Sequence, residues 1–200
     1  NNIKPLINRF LPNYKLICTK PVKTVKDLEG LKIRTFGNFM PKMFAALKAT
    51  PVNVLPVEMY EALKRGSMDC SYLTYPFFVV FKLYEVAPYV IDVKFGGINA
   101  YWLAINKRKF DSLPQNVQDL LVQTGKDATE WGVKETYRIE DESLAELMTK
   151  GVTLVKFEEQ QLLEDTVPDM IDEWIAEMAK LGKETEAKAY AATIRKELGL

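Results

Sequence analysis

Apolar and polar positions alternate in short stretches over roughly the first half of the chain and recur at helical spacing over the second. Leu31-Lys32-Ile33-Arg34-Thr35 alternates and carries β-branched residues, which predicts a strand. Val52-Asn53-Val54-Leu55 and Met68-Asp69-Cys70-Ser71-Tyr72-Leu73 predict two more. Between them, Phe39 to Lys48 reads as a short amphipathic helix with Pro41 in its first turn. Val57 to Arg65 reads as another, stopped by Gly66. The order strand, helix, strand, helix, strand over residues 30–73 predicts a parallel α/β unit. Residues 1–22 carry Pro5, Pro12 and Pro21 and read as extended, and Thr24 with Asp27 predicts a short turn over 25–29 closed by Gly30. Phe77 to Val86 reads as a buried helix. Tyr89 to Val93 reads as a strand, Gly96-Gly97 as a turn and Tyr101 to Ile105 as a strand.

The second pattern begins after Pro114. Val117, Leu120, Leu121, Thr124, Ala128, Trp131, Ile139, Leu144 and Leu147 keep helical spacing. A helix of about 35 residues spans ~50 Å at 1.5 Å per residue and far exceeds the usual ~11–12 residues. It is expected to lie across two lobes, with Gly125 and Gly132 as points where it would bend. Gly151 ends it, Val152 to Val155 predicts a strand, and two helices are expected over 158–198.

Composition narrows the chemistry. Lys+Arg and Asp+Glu both number 27, so there is no basic excess to read as a nucleic-acid surface. Lys107-Arg108-Lys109 is flanked by Asp111 and reads as a solvated helix start. The sequence has no histidine, which excludes Ser–His–Asp and Cys–His catalysis and removes the commonest zinc ligand. No phosphate loop, dinucleotide fingerprint, nucleophile elbow or metal-ligand cluster is found, so no enzymatic role, cofactor or metal is expected. Cys18 and Cys70 show no CxxC spacing and pair only if the fold brings them together. No run approaches the ~20 apolar residues a membrane-spanning helix needs, so stable membrane insertion is not expected. The chain opens on Asn1, which is read as a removed leader or an internal start.

Four segments then carry a family resemblance. Asp27-Leu28-Glu29-Gly30-Leu31-Lys32-Ile33-Arg34 resembles the "DLKGLKIR" segment of TRAP-type solute-binding proteins, the DctP-like family of tripartite ATP-independent periplasmic transporters. Val57 to Asp69 is similar to that family's "SEVYxALQxGxVDG", and Lys82 to Tyr89 to its "KxYEVAPY". Ile105 to Pro114 is similar to its "xNKxxWDxLP". The four stand in the family's order with nearly its spacing. The resemblance implies an α/β fold: a periplasmic binding protein-like lobe, its parallel or mixed sheet flanked by helices, with a long hinge-spanning helix and C-terminal helices. Residues 14–95 correspond to the second, ligand-binding lobe. Residues 1–13 and 96–200 correspond to strands returning to the first lobe, the long helix and the C-terminal helices. Roughly the first third of a family member has no counterpart, so the cleft is expected to have one wall here and the chain alone to bind weakly.

The implied function is the extracytoplasmic, periplasmic component of a TRAP transporter, capturing a small organic acid and passing it to membrane permease subunits. A ligand-sensing or scaffold role on the same fold is the alternative. Arg34 stands at the family's carboxylate-binding arginine, a role its planar fork suits. Without the resemblance, an ion pair with an acid such as Glu58 is the ordinary reading. Where many members read "DGQEN", this chain reads Asp69-Cys70-Ser71-Tyr72-Leu73. Leu73 cannot hydrogen-bond, which points to an aromatic or aliphatic monocarboxylate, with Tyr72, Thr74 and Tyr75 as hydroxyl candidates. Phe36, Asn38 and Asn99 complete the expected ligand contacts. Glu58 and Asp69 are expected behind them, Glu58 orienting Arg34 or capping its helix and Asp69 fixing a turn. Phe77 to Phe81 reads as core rather than ligand platform.

Overall fold

The computed structural model describes residues 2–199, with the side chains of residues 98–100 and 198 outside that description. In chain order its elements are β1 (Ile3–Leu11), β2 (Lys15–Cys18), β3 (Lys32–Thr35), α1 (Met40–Ala46), β4 (Thr50–Asn53), α2 (Met59–Lys64), β5 (Cys70–Leu73), α3 (Tyr75–Val80) and β6 (Tyr89–Asp92). There follow β7 (Ile98–Asn106), α4 (Lys107–Asp111), α5 (Gln115–Thr149), β8 (Thr153–Lys156), α6 (Gln160–Thr166), α7 (Met170–Lys180) and α8 (Glu184–Leu198).

Six strands form a mixed sheet in the order β4-β3-β5-β2-β6-β8. The unit expected over residues 30–73 is there: β3 runs parallel to β4 and to β5. Next to it β2 runs antiparallel to β5 and β6. All four residues of β2 are buried, as a strand at the centre of a sheet covered on both faces requires. Cys18 and Cys70 are directly opposed in the β2–β5 register and form a disulfide. Phe44 from α1, Met59 and Leu63 from α2 and Phe78 from α3 pack with the strand residues in one core. Each such side chain contributes roughly 1.5–3 kcal/mol by leaving water.

The sheet takes its last strand from outside the 14–95 span. β8 pairs parallel with β6, and Leu147, Val152, Val155, Phe157 and Leu163 join the same core. A short strand after the long helix thus extends the sheet at its edge, with Val155 turned into the core.

Two helical expectations also change. The stretch 77–86 is not one helix: α3 starts earlier, with Pro76 in its first turn, and Lys82 takes a left-handed conformation (φ 50°) before a separate 3-10 turn. The C-terminal stretch holds three helices rather than two, divided at Pro168 and Gly182, where the chain cannot or need not continue a helix.

β1 and β7 pair antiparallel as a separate two-stranded ribbon. The 35-residue α5 joins it to the lobe, packing on β1 and, further along, on α3. Its buried positions are Gly125, Gly132, Thr136, Glu140, Ser143 and Leu147, one stripe of mostly small residues. Gly125 serves close approach: a Cβ there would lie 2.2 Å from the Leu6 carbonyl oxygen of β1. Asn106 caps α4 by accepting the Lys109 N–H at 3.2 Å, and Lys107 pairs with Asp111 at 2.6 Å, the solvated helix start expected there. Among the described residues, no helix is long and apolar enough to cross a membrane.

Candidate functional site

Arg34 sits in β3 and is 5% exposed. Its Nε donates to the Val54 carbonyl at 3.1 Å and Nη1 to the Tyr72 carbonyl at 3.3 Å. The guanidinium carbon lies 5.1 Å from the centre of the Phe36 ring. Two backbone carbonyls and an aromatic face thus fix the plane of the fork, and the Nη2 edge is left for another partner. Among the described residues no carboxylate lies within 4 Å of it, so the ion-pair reading with Glu58 does not hold. Glu58 instead accepts the Leu55 N–H at 3.3 Å and caps the 3-10 turn before α2. Burial lowers the arginine's pKa from its ordinary value, while Tyr14 acts in the opposite direction. An unpaired buried charge costs several kcal/mol, a cost that an anionic partner with good geometry offsets.

In front of Arg34 lies a cavity of about 310 Å³, lined by Leu11, Tyr14, Phe36, Leu73, Phe77 and Phe81 among others. Arg34 is the one charged group among its described lining residues. Phe77 and Phe81 stack at 6.1 Å with their rings 17° apart. They are wall as well as core, and their i, i+4 spacing was the signal for a shared face. Burial pushes the Tyr14 phenol up to about 12, with Arg34 pulling it down. Tyr14 therefore stays neutral beside the guanidinium. Tyr14, Leu11 and Tyr101 were missed from the sequence because they come from the ribbon and the turn after it, far from Arg34 along the chain.

The other expected residues divide. Phe36 and Leu73 line the Arg34 cavity. Tyr72 does not: it is 1% exposed and packed against Tyr14, Phe44 and Phe95. Strand alternation turns it away from Leu73, and only its carbonyl reaches Arg34. Tyr75 is also buried, edge-on to Phe78 with the Lys15 ammonium 5.7 Å from its ring centre. Burial raises both phenols well above the usual tyrosine range. Asn38 is exposed in the turn after β3 and lines neither cavity. The Asn99 side chain lies outside the described residues. Asp69 exchanges two hydrogen bonds with Lys32, its Oδ2 accepting at 2.8 Å and its own N–H donating at 2.8 Å, and so ties the start of β5 to β3.

Thr74 opens a second cavity of about 250 Å³ beside the first. Leu11, Phe77 and Tyr101 line both. Here Thr74 meets Glu140 and Thr136 of α5 and Arg9 of β1. Thr136 donates to the Gly132 carbonyl at 2.7 Å, whereas Thr74 Oγ1 and Glu140 Oε2 are buried without a partner among the described residues. Desolvation raises the Glu140 carboxyl to about 7, against the lowering pull of the Lys15 ammonium and the Tyr75 N–H. Lys15 is itself paired with Asp92 at 2.6 Å. Glu140 was not anticipated, although the small residues at helical spacing on α5 mark the buried face on which it lies. Among the described residues no His, Cys, Asp and Glu cluster fit to hold a metal is found.

The family model for DctP, bacterial extracellular solute-binding protein, family 7, matches residues 15–181. A solute-binding protein of Albidiferax ferrireducens is 26% identical over 178 residues, covering 86% of this chain and 48% of its own length. The 2,3-diketo-L-gulonate-binding periplasmic protein of Escherichia coli is 28% identical over 156 residues, covering 76% and 46%. A solved TRAP periplasmic solute-binding protein from a Sulfitobacter species, with bound β-D-galacturonate, superposes with a TM-score of 0.78 at 20% identity, over 93% of this chain and 62% of its own. The chain thus spans about half the length of the curated relatives it matches. The family's role is solute binding for transport, which is not enzymatic, and its setting is the periplasm. With its matched span and its fold both in agreement, the chain belongs to the DctP family of TRAP-type extracellular solute-binding proteins.

Proposed function

We propose that this chain supplies the carboxylate-gripping lobe of a TRAP solute-binding protein, which captures a small organic acid in the periplasm and hands it to the membrane permease. It acts by binding and closure about the α5 hinge, with no catalytic step. The observation that carries the reading is Arg34: a buried guanidinium, oriented by two carbonyls, facing a cavity whose described lining residues include no acid. A ligand carboxylate would supply two charge-assisted hydrogen bonds and the missing counter-charge. The relatives' acids, diketogulonate and galacturonate, share that carboxylate. The apolar wall of Leu73, Phe77 and Phe81 favours a less polar ligand body than a sugar acid presents. The buried Cys18–Cys70 disulfide supports an oxidising compartment. Residues 14–95 with 147–163 form the gripping lobe under this reading, and β1, β7 and α5 form its connection to the other half of the cleft.

A thermal-shift screen of organic acids against their primary amides, on the full-length protein, tests it. At a hundred times Kd, an acid should raise Tm by about 5–10 °C and its amide should not. Equal shifts for acid and amide would remove the carboxylate reading.

A further inference from the structure

Among the described residues, the two unpartnered buried side-chain oxygens stand at one cavity. Thr74 is fully buried and Glu140 is 9% exposed, and both line the 250 Å³ space that adjoins the Arg34 cavity through Leu11, Phe77 and Tyr101. Leaving a buried polar atom unpaired costs roughly 1–3 kcal/mol, and native structures rarely leave two together without a reason. Of the neighbouring side chains, Thr136 donates to Gly132 and Lys15 is held by Asp92, while Arg9 of β1 also lines the space. The Thr74 hydroxyl can donate or accept and the ionised Glu140 carboxylate only accepts, so a hydrogen-bond donor is the group that satisfies both.

We infer that this second cavity is a specificity subsite in which Thr74 and Glu140 take a hydroxyl or ammonium group borne on the far end of the carboxylate ligand. The inference rests on the proposed carboxylate grip at Arg34 and adds a second requirement to it. The ligand is then an acid with an apolar middle, to suit Leu73, Phe77 and Phe81, and a donor at its other end. Electrostatics agree with the geometry. Burial raises the Glu140 carboxyl to about 7, so both its forms are present near that pH, and the charged or titratable groups around it are Lys15 of β2 with its partner Asp92 of β6, Tyr75 of α3, Arg9 of β1 and Asp141 beside it on α5. An incoming ammonium would stabilise the ionised form, while an incoming hydroxyl would serve either form.

The test is calorimetry on the full-length protein with five probes of one length: hexanoate, 6-hydroxyhexanoate, 6-aminohexanoate, 1-hexanol and hexylammonium. The hydroxy or amino acid should bind at least tenfold tighter than hexanoate. Thr74→Val, which keeps the side-chain shape, and Glu140→Leu should each cut that preference at least threefold while leaving hexanoate unchanged. Melting curves of both variants confirm that they are folded. An ammonium preference should grow between pH 6 and pH 8 as Glu140 ionises, whereas a hydroxyl preference should stay flat. Equal binding of hexanoate and its derivatives, with all three weakened by Arg34→Met, would overturn the subsite and leave the carboxylate grip standing. Glu140-dependent binding of hexanol or hexylammonium, with no preference for any acid, would support the subsite and overturn the grip. Binding of none of the five would overturn both.

Discussion

The six-stranded lobe and the β1–β7 ribbon hold themselves together by different means. In the lobe, β2 and β5 are buried along their whole length and cross-linked by Cys18–Cys70. In the ribbon, Tyr101, Trp102 and Leu103 are more than half exposed, and β1 is seated through the close approach of Leu6 to Gly125 on α5. The lobe is self-sufficient in core, and the ribbon depends on the helix it leans on. Both cavities lie where the two regions meet, each lined by lobe residues and by Leu11 and Tyr101 of the ribbon. A site at such a seam has one rigid wall, carrying Arg34, and one wall whose position follows α5.

The largest effect should come from the lobe's cross-link. Closing a loop with a sequence separation of 52 stabilises by about 4 kcal/mol in the chain-entropy account. Cys18→Ala with Cys70→Ala should lower unfolding free energy by about that much in urea, and an unchanged midpoint would contradict a self-stapled lobe. The next effect belongs to the seam. A carboxyl raised from 4.5 to about 7 in the folded state binds its proton more tightly there than in the unfolded chain. Stability should therefore fall as pH rises from about 4.5 to 7, by roughly 3 kcal/mol in all. Glu140→Gln should remove that slope and be the more stable protein at pH 8. A wild-type slope retained in the variant would place the titration elsewhere.

A smaller effect is expected where ribbon meets helix. Gly125→Ala puts a methyl group 2.2 Å from the Leu6 oxygen and should cost about 1–3 kcal/mol. Hydrogen exchange should quicken at the amides of β1 and stay slow in β2 and β5, and uniform quickening would show the two regions to be one cooperative unit. Smallest of all, Trp102→Ser on the exposed ribbon should change stability by less than about 0.5 kcal/mol. A larger loss in thermal denaturation would mean that the ribbon face is covered in solution.

The same division decided what could be read in the sequence. Lobe strands such as β3 and β5 were legible because alternation and β-branched residues report burial locally, and α5 was legible because 35 residues keep one period. The break at Lys82 was not, since nothing in Phe81-Lys82-Leu83 announces a left-handed lysine. Pro168 and Gly182 stand at the helix boundaries that the two-helix expectation passed over. At the site, strand geometry explains both outcomes in β5: Leu73 reaches the cavity, and Tyr72, its neighbour, must point the other way. Glu140, Tyr14 and Tyr101 depend on how α5 and the ribbon dock against the lobe, which no local pattern encodes.

The central claim is that Arg34 holds a ligand carboxylate. Isothermal titration of the tightest acid into wild-type protein and into Arg34→Met tests it directly. Loss of a buried charge partner corresponds to ~2–5 kcal/mol, so affinity should fall at least thirtyfold while the far-ultraviolet spectrum of the unliganded protein stays that of wild type and its melting temperature does not fall. Unchanged affinity in a folded Arg34→Met variant would contradict the account.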